Sequence, residues 1–350
     1  MKLLQQSLIL STLLSLCSAT YSLAQIDDAA DLHTQQQQEK NELHDMKREI
    51  DAIKNNMQDA LKDMSRVQSM VSGQQQVKEF HLQAKETTAE VFPGCFMSTA
   101  GYNNMIPGPN IRVSEGDSVK LVLHNGLKTP TSLYIQGMSL PHNVDGLPKT
   151  GAGLVGPGQT YVYQFVASQA GTFYYRPQVP HLDQMHKGMV GAIIVEPKSV
   201  PKTYERDQVI VLTEASAGDL KRSGNTAQQK QVSSGLLLCN GKSAQSIPPL
   251  ELKNGERMRL RMINASQQPC PFSLTGHRLE IVSQNGSDPI EPHVFRDTVT
   301  IHPGERVDLE FSADNPGVWS LSSLNLSQCS FNGQFPGGFA MVVRYPEALK

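Results

Sequence analysis

The chain has 350 residues, with 31 Lys and Arg against 33 Asp and Glu, a formal net charge of −2 and a pI near 6.6. That balance gives no electrostatic reason to expect a nucleic-acid partner. The 27 Gly and 21 Pro beside a single Trp suit short strands and turns better than a helical enzyme, and the length allows two ordinary domains plus extras.

Residues 1–24 read as a secretory signal peptide. Lys2 is the basic start, Leu8–Leu16 the apolar core and Ser22-Leu23-Ala24 the small-residue cleavage site. The apolar run is too short for a transmembrane helix. A lipid-anchored reading of Leu14-Ser15-Leu16-Cys17 fits poorly, because a small residue is expected just before the Cys. The expectation is a periplasmic or secreted protein. After cleavage Cys95, Cys239, Cys270 and Cys329 remain. Two disulfides and four free buried thiols both stay open, since pairing is not readable from spacing.

Residues 25–41 are polar and Gln-rich and are expected to be disordered. Over 42–73 the apolar positions Leu43, Met46, Ile50, Ile53, Met57, Ala60, Met64, Val67 and Val71 alternate spacings of three and four. That is a heptad seam, and Ser72-Gly73 stops it. The seam predicts a long α-helix that joins identical chains as a coiled coil. The competing reading is one amphipathic helix lying on its own globular body. Residues 74–89 read as a linker.

From Val91 the period changes to two and turn residues recur. Ile106-Pro107-Gly108-Pro109-Asn110-Ile111-Arg112-Val113 leads into Glu115-Gly116-Asp117 and the alternating strand Ser118–Leu123. Leu252-Lys253-Asn254-Gly255-Glu256-Arg257-Met258-Arg259-Leu260-Arg261 repeats that turn-and-strand logic. Two domains, 90–200 and 201–350, are therefore expected, each a two-sheet sandwich. The closing stretch VTIHPGERVDLEFSADNPG, then Trp319–Tyr345, completes the second.

These motifs resemble a multicopper oxidase. The resemblance implies an all-β chain of two cupredoxin-like Greek-key sandwiches, plastocyanin-like in each half. It also implies blocks of copper ligands, with the ligand types replaced here. Tyr134 and Gln136 stand where the family shows HWHG, and Arg176 and Gln178 where it shows YHxH. Cys270, Ser273 and Thr275 fall on the ligands of HPxHxHGH. Ser322, Ser323, Leu324 and Gln328 fall on HCHxxxH, and Phe339 falls on the axial Met. Neutral hydroxyls and hydrocarbons do not replace imidazole or thiolate as copper donors, and Arg176 puts a cation where a cation would bind. The implied protein is a multicopper-oxidase-like pseudoenzyme with no catalytic residues and no cofactor expected. It would be an envelope scaffold or binding protein, like the exported cell-division protein that shares this fold. Two-domain members form trimers, so a homo-oligomer, taken as a trimer, and an unknown envelope protein partner are expected.

One cluster points the other way. His142, His181, Met185, His186 and Met189 fall near one end of the first domain, with Met138 close in sequence. Imidazole and thioether suit Cu(I). The run Pro141–Asp145 is similar to the copper-ligand His segment of a nitrite reductase, with Met189 at its axial position, although Pro177 falls near the thiolate. The alternative is therefore a copper-handling protein or divergent copper-dependent oxidoreductase using this cluster. The competing explanation is loop histidines and gap-filling methionines. Asn264, Asn285 and Asn325 open glycosylation sequons that arise often by chance. His277 and His302 are expected to be structural.

Overall fold

A computed structural model describes residues 77–142, 144–147, 151–179, 184–185, 188–222, 236–286, 294–331 and 334–349. It also describes Lys40, Leu43, His44, Met46, Lys47, Ile50 and Lys54, which are helical and exposed. The rest of the predicted heptad helix, the signal segment, the Gln-rich stretch, His181 and His186 lie outside the described residues. A long N-terminal helix or coiled coil is therefore not established. Among the described residues no helix is long and apolar enough to cross a membrane.

Residues 75–350 form one compact unit. In chain order its first strands are β1 (Val77–Phe92), β2 (Cys95–Tyr102), β3 (Ile111–Ser114), β4 (Ser118–Asn125), β5 (Tyr134–Gln136), β6 (Thr160–Val166), β7 (Gly171–Arg176) and β8 (Gly191–Glu196). The later ones are β9 (Arg206–Ala215), β10 (Leu220–Arg222), β11 (Leu236–Cys239), β12 (Leu250–Glu251), β13 (Arg257–Asn264), β14 (Cys270–Leu274) and β15 (Leu279–Gln284). Then come β16 (Val294–Arg296), β17 (Val299–Ile301), β18 (Arg306–Ser312), β19 (Val318–Ser323) and β20 (Ala340–Arg344), with one helical turn, Leu326–Cys329, between the last two.

Strand alternation sorts these into two sandwiches. In β4, Val119, Leu121 and Leu123 are buried while Lys120, Val122 and His124 face outward, as a sheet with one dry face requires. The sheet β10-β2-β1-β4-β6 faces the sheet β3-β8-β7-β5, and Leu82, Leu121, Phe165, Phe173 and Ile193 fill the space between them. The second half repeats the arrangement with β11-β9-β13-β18-β15-β16 against β12-β20-β19-β14-β17, closed on Leu260, Phe272, Leu309, Phe311 and Leu321. The parallel pairs β1 with β4, β3 with β8, β9 with β13 and β12 with β20 show strands returning across each sandwich.

The two sandwiches share a third apolar layer. Tyr174, Val190, Ala192 and Ile194 pack on Val209, Val211, Ile263 and Ala265. That layer explains why β8 is buried on both faces.

The linker expected over 74–89 is a correction. Val77–Phe92 is one 16-residue strand, paired with both β2 and β4, so the first sandwich begins at Val77 rather than near residue 90. Only Leu82, Ala84 and Val91 of this strand are buried, and its other positions are polar or half-exposed. That sparse apolar content hid its alternation. A Pro93-Gly94 turn, with Gly94 at φ +72, reverses the chain into β2; a positive φ at that corner favours glycine. The hairpin tip docks on the other sandwich: Val91, Cys95 and Met97 pack with Ala215, Leu220, Leu236 and Leu238. Lys242 Nζ donates to Glu90 O at 2.6 Å. β10, from the second half of the chain, joins β2 in the first sheet, so the sequence boundary at 200 is crossed by a strand.

His277 is structural, as expected from sequence. Its Nε2 lies 2.7 Å from the Tyr345 hydroxyl and its Nδ1 3.2 Å from Thr275 O. The ring stacks on Tyr345 and meets Phe311 and Trp319 edge-on. A carbonyl only accepts, so Nδ1 carries the proton and Nε2 accepts from the tyrosine. Replacing His277 with Phe keeps the stack but strands the buried Tyr345 proton. Equilibrium urea unfolding should show a loss of about 1–3 kcal/mol.

Candidate functional site

The four first-domain positions come together. β5 pairs antiparallel with β7, placing Tyr134 opposite Arg176 and Gln136 opposite Tyr174. Period-two alternation turns Ile135 into the core and leaves Tyr134 and Gln136 half-buried on the outer face. The Arg176 guanidinium lies over the Tyr134 ring, 5.1 Å from its centroid. Its Nη2 donates to Gln136 Oε1 at 3.0 Å. Its Nη1 donates to Gln178 Oε1 and, at 3.2 Å, to Pro177 O. The Gln178 backbone is pinned in turn, because its N–H donates to Ser132 Oγ at 3.0 Å. The Tyr174 hydroxyl also bonds Arg176, although burial still raises that phenol. Arg176 Nε is buried and has no hydrogen-bond partner among the described residues.

A second guanidinium adjoins this one. Arg306, at the start of β18, is 4% exposed. A Cβ at Gly137 would collide with it, and it lies 6.0 Å from the Tyr174 ring centroid. Its bonds go to carbonyls: Nε to Thr172 O at 3.1 Å, Nη1 to Gly304 O at 3.4 Å, and Nη2 to Asn285 O. Burial pushes its pKa below the ordinary arginine value. Sequence reasoning missed Arg306, because it sits inside the PGERVD turn-and-strand frame and looks like scaffold.

The second-domain positions divide in two. Cys270, Ser323, Gln328 and Phe339 meet inside the sandwich. Ser323 Oγ donates to Gln328 Oε1 at 2.7 Å, and Gln328 Nε2 donates to Pro269 O at 2.8 Å. Phe339 N donates to Gln328 O at 2.8 Å, and its fully buried ring meets Phe272 edge-on. Burial pushes the Cys270 thiol up to about 12, against a bond from Ser323. Ser273 pairs with Ser322 across β14 and β19, while Ser320 N donates to Thr275 Oγ1 at 2.9 Å. Thr275 and Leu324 are exposed. No hydrogen bond or ring contact among the described residues joins this outer set to Arg176.

The His/Met cluster is not gathered among its described members. His142 is exposed and Met185 half-buried. Met189 and Met138 are core side chains of the first sandwich. Cys95, Cys239, Cys270 and Cys329 are buried, and none of the four is in a disulfide among the described residues. Asn264 is fully buried and bonded to Gln268 O, Ile301 O and Ser266 N, so its sequon is a packing residue. Among the described residues no three His, Cys, Asp or Glu side chains gather as a metal shell.

These residues do not fit copper as a donor set. Around Arg176 the amide oxygens already face a guanidinium, and its positive charge opposes a second cation. Around Ser323 the soft donors are buried thiols, Cys270 with Cys329 within electrostatic reach, and burial raises both, where a blue copper centre takes a thiolate and two imidazoles.

Two stacked sandwiches with paired parallel returns, carrying these strand-end positions, define a cupredoxin-type protein. Family models described as multicopper oxidase match residues 69–200 and 212–328, and the chain belongs to the multicopper oxidase family. It is 27% identical over 262 residues to the multicopper oxidase MmcO of Mycobacterium tuberculosis, an alignment covering 66% of this chain and 51% of that protein. It is 35% identical over 145 residues to a copper resistance protein A homolog of Pseudomonas syringae pv. tomato, covering 41% and 24%. The blue copper oxidase of Nitrosomonas europaea superposes with a TM-score of 0.70 at 28% identity, covering 78% of this chain and 87% of that one. The chain spans about half the length, or less, of these curated relatives.

Proposed function

We propose that this chain is an exported multicopper-oxidase-family protein that has lost its type 1 and trinuclear copper ligands and acts as a non-catalytic envelope scaffold or binding protein. One observation carries the reading: at matched ligand positions the Arg176 guanidinium is held by Gln136 and Gln178 over Tyr134. A guanidinium that binds one amide oxygen from each side supports an organised replacement rather than a scattered loss of ligands. The heptad positions of 42–73 support a homo-oligomer, taken as a trimer, and the apolar run with its cleavage site supports export.

A second reading is copper handling through His142, His181, Met185, His186 and Met189. It is favoured by relatives whose names describe copper resistance. Metal analysis and Cu(I) titration of the full chain purified from the periplasm separate the two. The first reading expects less than a tenth of a copper per chain and no oxidase turnover, at about the level set by adventitious binding. Stoichiometric copper that disappears in His142→Ala would establish the second reading instead.

A further inference from the structure

On the face formed by Tyr134, Gln136, Arg176 and Gln178 the nitrogen groups all donate, and the Tyr134 hydroxyl can donate as well. A guanidinium has no acceptor, so whichever way each amide was placed, its oxygen must face Arg176. Both Nε2 amino groups are thereby turned away, and neither has a partner among the described residues. Among the described residues every hydrogen-bond partner of the Arg176 and Arg306 guanidiniums is neutral. Asp308 and Glu305 act on Arg306 only from beyond ion-pair reach. Two guanidiniums flanking one phenol, neither closed by a carboxylate among the described residues, make a positive site at the joint of two sandwiches. Such joints are common places for small ligands. Arg176 Nε adds an unsatisfied buried donor, a group that ordinarily finds a partner.

We propose that this face binds a small organic carboxylate, an anion where the family frame carries a cation. The inference rests on the copper-free reading of these positions. Tyr134, Gln136, Arg176 and Gln178 are half-buried, so a carboxylate reaches the two amide amino groups directly. The guanidinium supplies the charge and, by holding both amide oxygens, aims the two amino groups at the two oxygens of one planar carboxylate. Inorganic phosphate shares the charge but not the planar two-oxygen edge.

The test is isothermal titration of the full, copper-free chain with sodium benzoate, with inorganic phosphate and with chloride at matched ionic strength. Benzoate should saturate, above chloride and more tightly than phosphate. Arg176→Gln should weaken it at least tenfold, to about the chloride background, with Arg176→Lys between, because lysine keeps the charge but loses the fork. The double variant Gln136→Leu with Gln178→Leu keeps the guanidinium and removes only the amide donors. It should weaken benzoate severalfold, about what two lost charge-assisted bonds imply, and it decides the matter if Arg176→Gln fails to fold. Unchanged benzoate affinity in either variant, phosphate bound as tightly as benzoate, or no saturation above chloride would overturn the proposal. Copper present one-to-one in the purified protein would defeat the copper-free reading itself. A copper-free protein that ignores benzoate defeats only this inference.

Discussion

Replacing Arg261 with Met should destabilise the protein by about 3–5 kcal/mol, the usual consequence of removing one member of a buried ion pair. Arg261 is 2% exposed and sits between the two sandwiches. Its Nε donates to Asp207 at 2.6 Å, its Nη1 to Asp308 at 2.8 Å and to Thr172 Oγ1 at 2.9 Å, and its Nη2 to the Tyr204 hydroxyl at 2.8 Å. Arg112 closes the network from the first sandwich by binding Asp207 with two bonds of 2.8 and 2.9 Å. Burial raises the Asp308 carboxyl, and the charge of Arg261 and the bond from Thr172 do not fully offset it; its Oδ1 has no partner among the described residues. Without Arg261 the folded-state pKa of Asp308 should rise further.

The sign of the pH dependence follows. A carboxyl raised on folding lends stability below its unfolded value and loses it as pH rises through the folded value. The variant's deficit should therefore widen with pH above about 4, the ordinary range for an aspartate. The parent behaves differently in acid. Burial would raise Asp207 and Glu310, but arginine bonds outweigh it, joined at Glu310 by Thr203, and both carboxyls end below their ordinary values of 3.8 and 4.5. Their contribution is present above those values and drains away as pH falls below them. Urea midpoints of parent and variant from pH 3 to about pH 8 check both signs. A double variant, Arg261→Met with Asp308→Asn, should recover part of the loss, since the stranded charge has gone.

The triple variant Cys270→His, Ser323→Cys and Gln328→His should turn a colourless protein blue. These three positions still touch inside the second sandwich, with Phe339 closing the fourth side. The substitutions restore one thiolate and two imidazoles, the set that gives a blue copper centre. The expected result is about one copper per chain and an intense thiolate-to-copper absorption, set against near-zero uptake by the parent. A colourless triple variant that folds normally would mean that these side chains do not stand in ligand register.

Much of the fold was legible because turn chemistry and alternation agree. The Glu115-Gly116-Asp117 turn and the alternating strand that follows it mark β4, and the same logic at Asn254-Gly255 marks β13. The first strand escaped because only Leu82, Ala84 and Val91 of its 16 residues are buried, so its amphipathic pattern looked like polar connection. At the candidate site, sequence named the positions but not their chemistry. Arg176 reads as an obstacle to copper. That it is bonded to Gln136 and Gln178 emerges only when β5 pairs with β7. Arg306 joins it from about 130 residues away along the chain, as the arithmetic between positions 176 and 306 shows, and no local pattern announces a contact of that kind.

The hairpin that begins at Val77 also has a mechanical meaning. Tension entering the body at that residue runs along β1, whose ladders to β2 and β4 lie side by side with the pull. The hydrogen bonds are then loaded together in shear instead of being peeled one by one. Because the far end of the hairpin is seated in the other sandwich, the load is shared by both halves, and a tether on the amino-terminal side would move them as one piece.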